Sequence, residues 1–405
     1  LYNINRQFLL SLVVEDAAQT AIEALQQGRK PVIAVENTGE SLLREVLARR
    51  ANVSELIDEM EELKANPDQD KEAAKERISI IKEQVDAKMA SVQLDEPPQF
   101  RDLMEVMLER IGNIKVMKRY GVYETEKPSS EEYLNEEAAL LKLIRDLPPM
   151  PLSALDVINQ KLRDHGYEPT EVSGRTVSLH KELEKGRWVP EEHKKANAVA
   201  AVAGYQNGSY DCITITRAGS TGISLHATGR FEDSDVRQRE FIVAQKAANI
   251  AEFLQWMGRV NRRDQVCEPV MRTLETGLPA EARLTMMHNA KLRRLSANTT
   301  SNRDNSNIEG ESLDLLNELG DSVALGWLTE NPRIASDLDI DLPTDEDSLD
   351  RRTQDCPYIN KLMGRLVMVP VAKQEEILAT LGQRFAEKLE ELEQQGINPF
   401  KVDVY

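Results

Sequence analysis

The pattern of apolar and polar positions is regular near the start of the chain. A helical repeat runs from Asp16 to Gly28, and the apolar run 31–35 follows it. The next residues, Asn37-Thr-Gly-Glu-Ser41, combine glycine with hydroxyl and acidic side chains, as at many helix starts. The pattern therefore predicts helix, strand and helix between Asp16 and Arg50, which together form one α/β unit.

A long polar segment interrupts this pattern. Residues 53–146 are rich in Glu, Lys, Leu and Met and contain few turn signals, which predicts a helical insertion of long, solvated helices. The sequence Leu147-Pro-Pro-Met-Pro151 ends that run, because proline does not continue a helix. An amphipathic helix is expected next, from Leu152 to His165, beginning near Ser153.

Short apolar runs then alternate with helical patterns. Strands are predicted at 176–180, 211–216, 240–244 and 269–274, and helices at 191–207 and 249–258. Such alternation is typical of an α/β fold with a parallel sheet covered by helices on both faces. We therefore expect residues 1–52 and 147–277 to form one domain, which the insertion 53–146 interrupts.

The rest of the chain, residues 278–405, is predicted to be a mostly helical C-terminal region. Residues 297–312 are rich in Ser, Asn, Thr and Asp and are expected to form a loop. The acidic stretch 337–350, interrupted by Pro343, is typical of a solvated linker. An amphipathic helix from Glu375 to Gln395 is expected near the end.

The net charge of −18 weighs against a nucleic-acid partner, because phosphate binding needs a basic surface. The acidic residues are segregated, however. Residues 54–100 contain 13 acids against 6 bases, and residues 309–350 contain 13 acids against one base. Between residues 255 and 303, nine bases stand against four acids, so a local basic surface remains possible.

The cysteines and the apolar runs exclude other classes of protein. Cys212, Cys267 and Cys356 are widely spaced and form no Cys-x-x-Cys pair, so neither a disulfide framework nor a metal site is indicated. No apolar run approaches the roughly 18 to 20 residues that span a bilayer. The N-terminal sequence also lacks the pattern of a signal peptide. We expect a soluble, intracellular protein, cytoplasmic if its source is prokaryotic, with no membrane partner.

Candidate chemistry begins where the predicted strand 211–216 ends. The segment from Thr214 to His226 would leave the carboxyl edge of a parallel sheet, where ligands bind in such folds. After Thr216 this segment contains two glycines and three hydroxyl side chains: Gly219, Gly222, Ser220, Thr221 and Ser224. Backbone amides and hydroxyls suit a phosphate group. An ordinary strand-to-helix turn would need the same glycines for its geometry alone.

The second candidate is Gln255-Trp-Met-Gly-Arg-Val-Asn-Arg-Arg263. On a helix, Gln255, Arg259 and Arg262 share one face, because they are four and three residues apart. Gly258 leaves room for close approach, and two guanidiniums on one face suit a polyphosphate. In phosphoryl transfer such an arginine raises the rate by about 10³ to 10⁵. The alternative is a solvated basic helix end that pairs with acids elsewhere.

The order of these motifs resembles the C-terminal half of the Strawberry notch family of superfamily 2 helicases. The matching segments are 37–40, 147–155, 172–175, 218–225 and 255–262. The resemblance implies that the predicted domain is the second RecA-like domain of a helicase, with motif V at 218–225 and motif VI at 255–262. Motif VI is the specific part of the match.

The resemblance also implies roles for individual residues. Arg262 is expected to be the arginine finger, and Arg259 to hold the γ-phosphate or an acidic partner. The other residues expected to bind ATP are Gln255, Gly258, Gly222 and Ser224. The residues expected to contact nucleic acid are Gly174, Arg175, Thr216, Arg217, Ser220 and Thr221.

Two parts of such a motor are missing from the sequence. It has no Gly-x-x-x-x-Gly-Lys-Ser/Thr loop and no Asp-Glu metal-binding box, which hold the phosphates and Mg²⁺ in this class. ATP and Mg²⁺ would therefore require an N-terminal RecA-like domain of the same protein. This chain alone is expected to be inactive.

The expected function is thus the C-terminal half of an ATP-dependent helicase or translocase, with DNA favoured over RNA. A function of another class remains open. Helices 53–146 and the acidic segments would suit a protein-interaction module without ATPase activity. The set Gln255, Gly258, Arg259 and Arg262 favours the motor, because an interaction module has no physical reason to keep it.

Overall fold

The computed structural model describes residues 2–65, 71–117, 123–182, 184–192, 198–217, 222–230, 232–247, 249–283, 285–286, 315–343 and 356–396. The chain forms two compact units. The first comprises Leu1–Ala247 and Ala251–Leu274, and the second comprises Ala248–Ile250 and Glu275–Tyr405. The described helices include none that is both long and apolar enough to cross a membrane.

Nine strands are described: β1 Lys30–Ala34, β2 Ile114–Met117, β3 Tyr123–Glu126, β4 Pro169–Val172, β5 Val177–Lys181, β6 Trp188–Glu192, β7 Cys212–Ile215, β8 Arg239–Val243 and β9 Val270–Thr273. The longer helices are α1 Tyr2–Gln26, α2 Glu40–Arg50, α3 Ser54–Ala65, α4 Lys71–Ala90, α5 Phe100–Gly112, α6 Glu131–Arg145, α7 Ala154–Asp164, α8 Ala198–Gln206, α9 Ile250–Val260, α10 Glu318–Glu330, α11 Pro332–Asp337, α12 Pro357–Arg365 and α13 Val371–Gln394. Short 3₁₀ turns lie at Pro279–Glu281 and Leu366–Met368.

The first unit contains a five-stranded parallel sheet in the order β4-β7-β1-β8-β9. The predicted fold class is therefore confirmed. The predicted strands at 31–35, 211–216, 240–244 and 269–274 correspond to β1, β7, β8 and β9. The edge strand β4 was missed, because Pro169-Thr-Glu-Val172 is short and half polar and gives no apolar run.

Helices cover both faces of this sheet, as predicted. On one face, Ile33 and Val35 pack in a core with the apolar sides of α1 and α7. On the other face, Val32 and Ala34 pack with residues of α8 and α9, including Trp256. Successive residues of a strand point to opposite faces, which explains why β1 is buried throughout.

The insertion 53–146 is less solvated than its composition predicts. Helix α4 contributes Ile81, Val85 and Met89 to the main core, and α5 packs Phe100, Leu103 and Val106 in a smaller one. Helix α6 buries no side chain, and Leu134, Leu140 and Leu143 on it are exposed. The antiparallel pair of β2 and β3 was not predicted.

One predicted helix begins too early. The sequence pattern predicted helix from 191 to 207, but Glu191 and Glu192 belong to β6, and the described helix α8 begins at Ala198. Strand β6 pairs antiparallel with β5, the strand predicted at 176–180. The polar end of β6 resembles a helix start in sequence, and only this pairing distinguishes the two.

The second unit has a core of its own, formed by helices α10, α12 and α13. Trp327 is buried in this core, as Trp188 and Trp256 are in the first unit. The helix predicted at 375–395 is confirmed as α13, which begins earlier, at Val371. The predicted loop 297–312 lies outside the described residues, as do residues 344–350 of the predicted acidic linker.

Candidate functional site

The segment predicted as motif V starts at the carboxyl edge of the sheet, where β7 ends. Thr216 follows this strand and is buried, and its backbone N–H donates to the carbonyl of Val172 at 3.2 Å. Arg217 is exposed and lies 3.7 Å from the carboxylate of Glu252. Residues 218–221 lie outside the described residues, so the roles of Ser220 and Thr221 stay predictions.

Gly222 resumes the described chain in a left-handed conformation. Its φ of 78° is one that a side chain makes unfavourable, and a Cβ placed there would meet no atom within 4 Å. The glycine is therefore required by backbone geometry and leaves open space. Two residues later, the hydroxyl of Ser224 hydrogen bonds Nδ1 of His226 at 2.7 Å.

The predicted motif VI lies on α9 and on the turn that follows it. Trp256 points into the core and is fully buried, whereas Gln255 is exposed and Arg259 is half-buried on another side of the helix. Gly258 faces open space, since a Cβ there would meet nothing within 4 Å. The helix ends after Val260, and Arg262 lies in the turn.

The two predicted arginines converge on one carbonyl oxygen. Nη1 of Arg259 and Nη2 of Arg262 each donate to the carbonyl of Ile223 at 3.2 Å. Nε of Arg262 also donates to the carbonyl of Gly258 at 2.9 Å, near the carboxyl end of α9, where a cation is favourable. The backbone N–H of Leu225 donates to the carbonyl of Arg259 at 2.9 Å. The segments predicted as motifs V and VI are therefore directly bonded.

The electrostatic environment of this cluster favours an anion. Burial lowers the pKa of Arg259, and the neighbouring charge of Arg262 lowers it further. Burial also lowers the pKa of His226, as do Arg262 and Arg230. Burial is the larger cause of both shifts, and the positive charges of neighbouring arginines add to it. A bound phosphate would relieve this repulsion.

The loop that contains Gly174 and Arg175 follows β4 at the same sheet edge. Gly174 is exposed, but the guanidinium of Arg175 is buried. It lies 2.7 Å from the carboxylate of Asp156 and 2.6 Å from that of Glu171. Although burial acts to lower it, these carboxylates raise the pKa of Arg175. The side chain expected to contact nucleic acid is therefore directed into the protein.

Glu40 lies in the segment 37–40, which matches the family pattern, and it forms hydrogen bonds with the end of the loop that contains Arg175. Its Oε1 accepts hydrogen bonds from the backbone N–H of Thr176 at 3.1 Å and of Val177 at 3.2 Å. It also accepts from the hydroxyl of Thr176 at 2.8 Å and from Nε of Arg44 at 3.0 Å. No role was predicted for Glu40, because Thr176 and Val177 lie far from it along the chain. The carboxylate joins the loops that follow β1 and β4.

These hydrogen bonds predict a dependence of stability on pH. Burial acts to raise the pKa of Glu40, but the bonds from Thr176 and Arg44 hold it below its ordinary value of 4.5. The carboxylate therefore stabilises the fold above pH 4.5, and this stability is lost as the pH falls through the folded-state pKa. Urea unfolding of the chain and of Glu40→Gln, measured at neutral pH and in acid, should give a stability difference that shrinks in acid. Because the two proteins share every other carboxylate, a constant difference would contradict the role of Glu40.

One comparison with known proteins identifies the family of the chain. The sequence model of a helicase C-terminal family, described as the C-terminal domain on Strawberry notch homologue, matches residues 153–403, which is more than half of the chain. The chain belongs to this family. The resemblance inferred from the motifs is thereby confirmed. The matched residues include strands β4 to β9 and the C-terminal helical region.

The other comparisons add little. No curated protein matches the chain significantly. A crystal structure of the C-terminal part of the Fun30 ATPase domain is similar at 12% identity, with 64% of this chain and 89% of that chain covered and a TM-score of 0.24. That likeness is too weak to refine the fold or the site.

Proposed function

We propose that this Strawberry notch C-terminal domain supplies one half of an ATP site and acts as the C-terminal motor half of a helicase or translocase. The other half of the site would lie on an N-terminal RecA-like domain of the same protein. The observation that carries this proposal is the convergence of Arg259 and Arg262 on the carbonyl of Ile223. Arg262 would be the arginine finger, and Arg259 would hold the γ-phosphate.

The contacts of Arg262 support this role. Among the described residues, no carboxylate pairs with its guanidinium, which is bonded only to two neutral carbonyls. Charge-assisted bonds to a phosphate are stronger than bonds to carbonyls, so a triphosphate would compete well for this group. Gly258 leaves open space beside the guanidiniums. Gln255, Gly222 and Ser224 are proposed as further contacts of the nucleotide.

ATP and Mg²⁺ would be held mainly by the N-terminal domain. This chain has no glycine-rich phosphate loop of the Gly-x-x-x-x-Gly-Lys-Ser/Thr type. Its contribution would be positive charge for the transferred phosphoryl group, which the Mg²⁺ ion would also stabilise when bound. Closure of the two domains would bring Arg262 to the γ-phosphate and exclude water.

Nucleic acid is proposed to lie along the sheet edge where β4 and β7 end. The two strands are parallel neighbours, with Val172 opposite Ile215, so Gly174 and Arg217 follow adjacent strand ends. Gly174 and Arg217 are exposed there, whereas Thr216 and the Arg175 guanidinium are buried and would support the loops. Ser220 and Thr221 are proposed as contacts from the sequence motif. DNA is favoured over RNA as the partner.

The proposal is tested by measuring ATPase activity of the complete protein beside this chain, with single-stranded and duplex DNA and RNA as stimulants. We expect turnover in the complete protein, stimulated by DNA, and none in this chain alone. Absence of turnover in the complete protein on every nucleic acid would contradict a motor function. Stimulation by RNA alone would contradict the preference for DNA.

Gly258 offers a second test of the site. Because a Cβ at this position meets nothing, Gly258→Ala should preserve the fold and stabilise α9 by about 0.5–1 kcal/mol. If a nucleotide closes against this face, the added methyl group should still lower kcat of the complete protein by roughly 10- to 100-fold. Thermal unfolding and steady-state ATPase assays measure the two effects.

A matched control exists on α10. A Cβ at Gly326 also meets nothing within 4 Å, so Gly326→Ala should give a similar stabilisation. Its turnover should equal that of the wild type. Equal turnover in both glycine variants and the wild type would show that no group approaches Gly258 closely.

A further inference from the structure

A buried polar network lies next to the segment that bonds the two arginines. Arg239, the first residue of β8, is only 1% exposed. Its guanidinium donates to the carbonyl of Leu225 at 2.9 Å and to Oε1 of Gln206 at 2.8 Å. It also donates to the carbonyls of Asp235 at 2.8 Å and Arg237 at 2.7 Å. Four hydrogen bonds therefore fix this side chain.

Gln206, the last residue of α8, extends the network to the same segment. Its Nε2 donates to the carbonyl of Ser224 at 2.9 Å and to that of His226 at 3.2 Å. With the bond from Arg239 to Leu225, three consecutive carbonyls are held by two side chains. A backbone segment with its carbonyls bonded in this way has little freedom to shift.

The same segment also forms hydrogen bonds with the two arginines. The N–H of Leu225 donates to the carbonyl of Arg259, and the carbonyl of Ile223 accepts from the guanidiniums of both Arg259 and Arg262. Among the described contacts of Gln206 and Arg239, only residues 223–226 connect these two side chains to Arg259 and Arg262.

We propose that Gln206 and Arg239 are positioning residues, which set the place of Arg259 and Arg262 through the segment 223–226. This inference rests on the proposed ATP site, to which it adds two side chains that would touch neither nucleotide nor nucleic acid. Their effect is expected in kcat, because a finger displaced by about 1 Å can lower the rate about 100-fold.

Substitution of the neighbouring residue Lys30 is a control that distinguishes a positioning role from a contribution to stability alone. Lys30 is fully buried in the same network, but its Nζ bonds the carboxylate of Asp235 at 2.6 Å and the carbonyl of Tyr205. These bonds do not reach the segment 223–226. Lys30→Met should therefore lower stability much as Arg239→Met does, since each leaves buried partners unpaired, without moving the arginines.

The sharpest variant is Gln206→Glu. Glutamate has the same size and can still accept from Arg239, so the pair between these two residues is kept and gains charge. It cannot donate to the carbonyls of Ser224 and His226, and its second oxygen would repel them. The change therefore acts on the segment while leaving the rest of the network bonded.

The experiment compares Gln206→Glu, Arg239→Met and Lys30→Met in the complete protein. Steady-state ATPase assays give kcat and KM, DNA titration gives the apparent Kd, and thermal unfolding gives Tm. We expect Gln206→Glu and Arg239→Met to lower kcat by at least about ten-fold, with the apparent Kd for DNA changed by less than about three-fold. Lys30→Met should keep kcat within about three-fold, although its Tm falls. Wild-type kcat in Gln206→Glu, or an equal loss in Lys30→Met, would overturn the positioning role.

Hydrogen exchange separates this inference from the proposed function. In the same proteins, exchange at the amide of Leu225 should be at least about ten-fold faster in Gln206→Glu and Arg239→Met than in Lys30→Met. If the wild type has no ATPase activity, the motor function fails, and hydrogen exchange alone decides whether the segment is positioned. Equal exchange in all three variants would overturn the inference, whatever the activity.

Discussion

Arg262→Ala should abolish ATP turnover of the complete protein while ATP binding is mostly retained. The expected loss is about 10³- to 10⁵-fold in kcat, the range for arginines that stabilise the transferred phosphoryl group. ATP affinity should change little, because the phosphate-binding loop would lie on the N-terminal domain. Steady-state ATPase assays and binding of a fluorescent ATP analogue measure the two quantities. Turnover within about ten-fold of the wild type would contradict the role of a finger.

Two further variants separate chemistry from folding and from charge. Arg262→Ala loses the bonds to the carbonyls of Gly258 and Ile223, so a small fall in Tm is expected and must be measured. Arg262→Lys keeps the charge but lacks the planar fork, and it should remain strongly impaired. Arg263→Ala removes the next, exposed arginine and should keep turnover within about three-fold.

Sequence patterns predicted the central strands of the sheet better than the edge strand β4. Strands β1, β7 and β8 carry apolar runs because both faces of a covered parallel sheet are buried. The edge strand β4 lacks such a run, and β6 ends in two glutamates that resemble a helix start. Both segments become strands because they pair with another strand. Local sequence propensity carries no information about that pairing.

The candidate site was predictable only where side chains define it. The spacing of Gln255, Arg259 and Arg262 predicted one shared helix face, and the family motif supplied their expected roles. In the structure the helix ends at Val260, so Arg262 lies in the turn that follows it. The acceptor that brings the two arginines together is the carbonyl of Ile223, and a backbone group leaves no signal in the residue type. Gln206 and Arg239 were missed for a related reason, since their partners are carbonyls of a distant segment.

Arg175 shows how a motif can be matched while the orientation of its side chain is not foreseen. The family resemblance implied that this arginine contacts a nucleic-acid backbone. Its carboxylate partners are Glu171, at the end of β4, and Asp156, in the first turn of α7. The contact with Asp156 arises only because α7 and β4 pack together. The sequence alone therefore could not distinguish an exposed arginine from a buried one.

Arg175→Ala should destabilise the first unit by about 3–5 kcal/mol, because it leaves two carboxylates without their cation. Asp156 is buried beneath the loop, where solvent does not replace the lost partner. Urea unfolding followed by tryptophan fluorescence measures the change. Arg187→Ala is the matched control, since Arg187 is exposed and pairs with the exposed Asp95, and it should cost no more than about 1 kcal/mol.

A second substitution tests whether the cost of Arg175→Ala comes from the unpaired charge. Asp156→Asn in the Arg175→Ala background removes the buried charge but keeps an oxygen that can accept the N–H of Leu179, now bonded at 2.9 Å. The double variant should recover part of the lost stability, because an uncompensated buried charge costs more than a bonded amide. If Arg175→Ala instead costs no more than Arg187→Ala, the guanidinium is not held between the carboxylates in solution. Direct contact between Arg175 and nucleic acid would then become the better explanation of this arginine, and DNA affinity of the same variant would measure it.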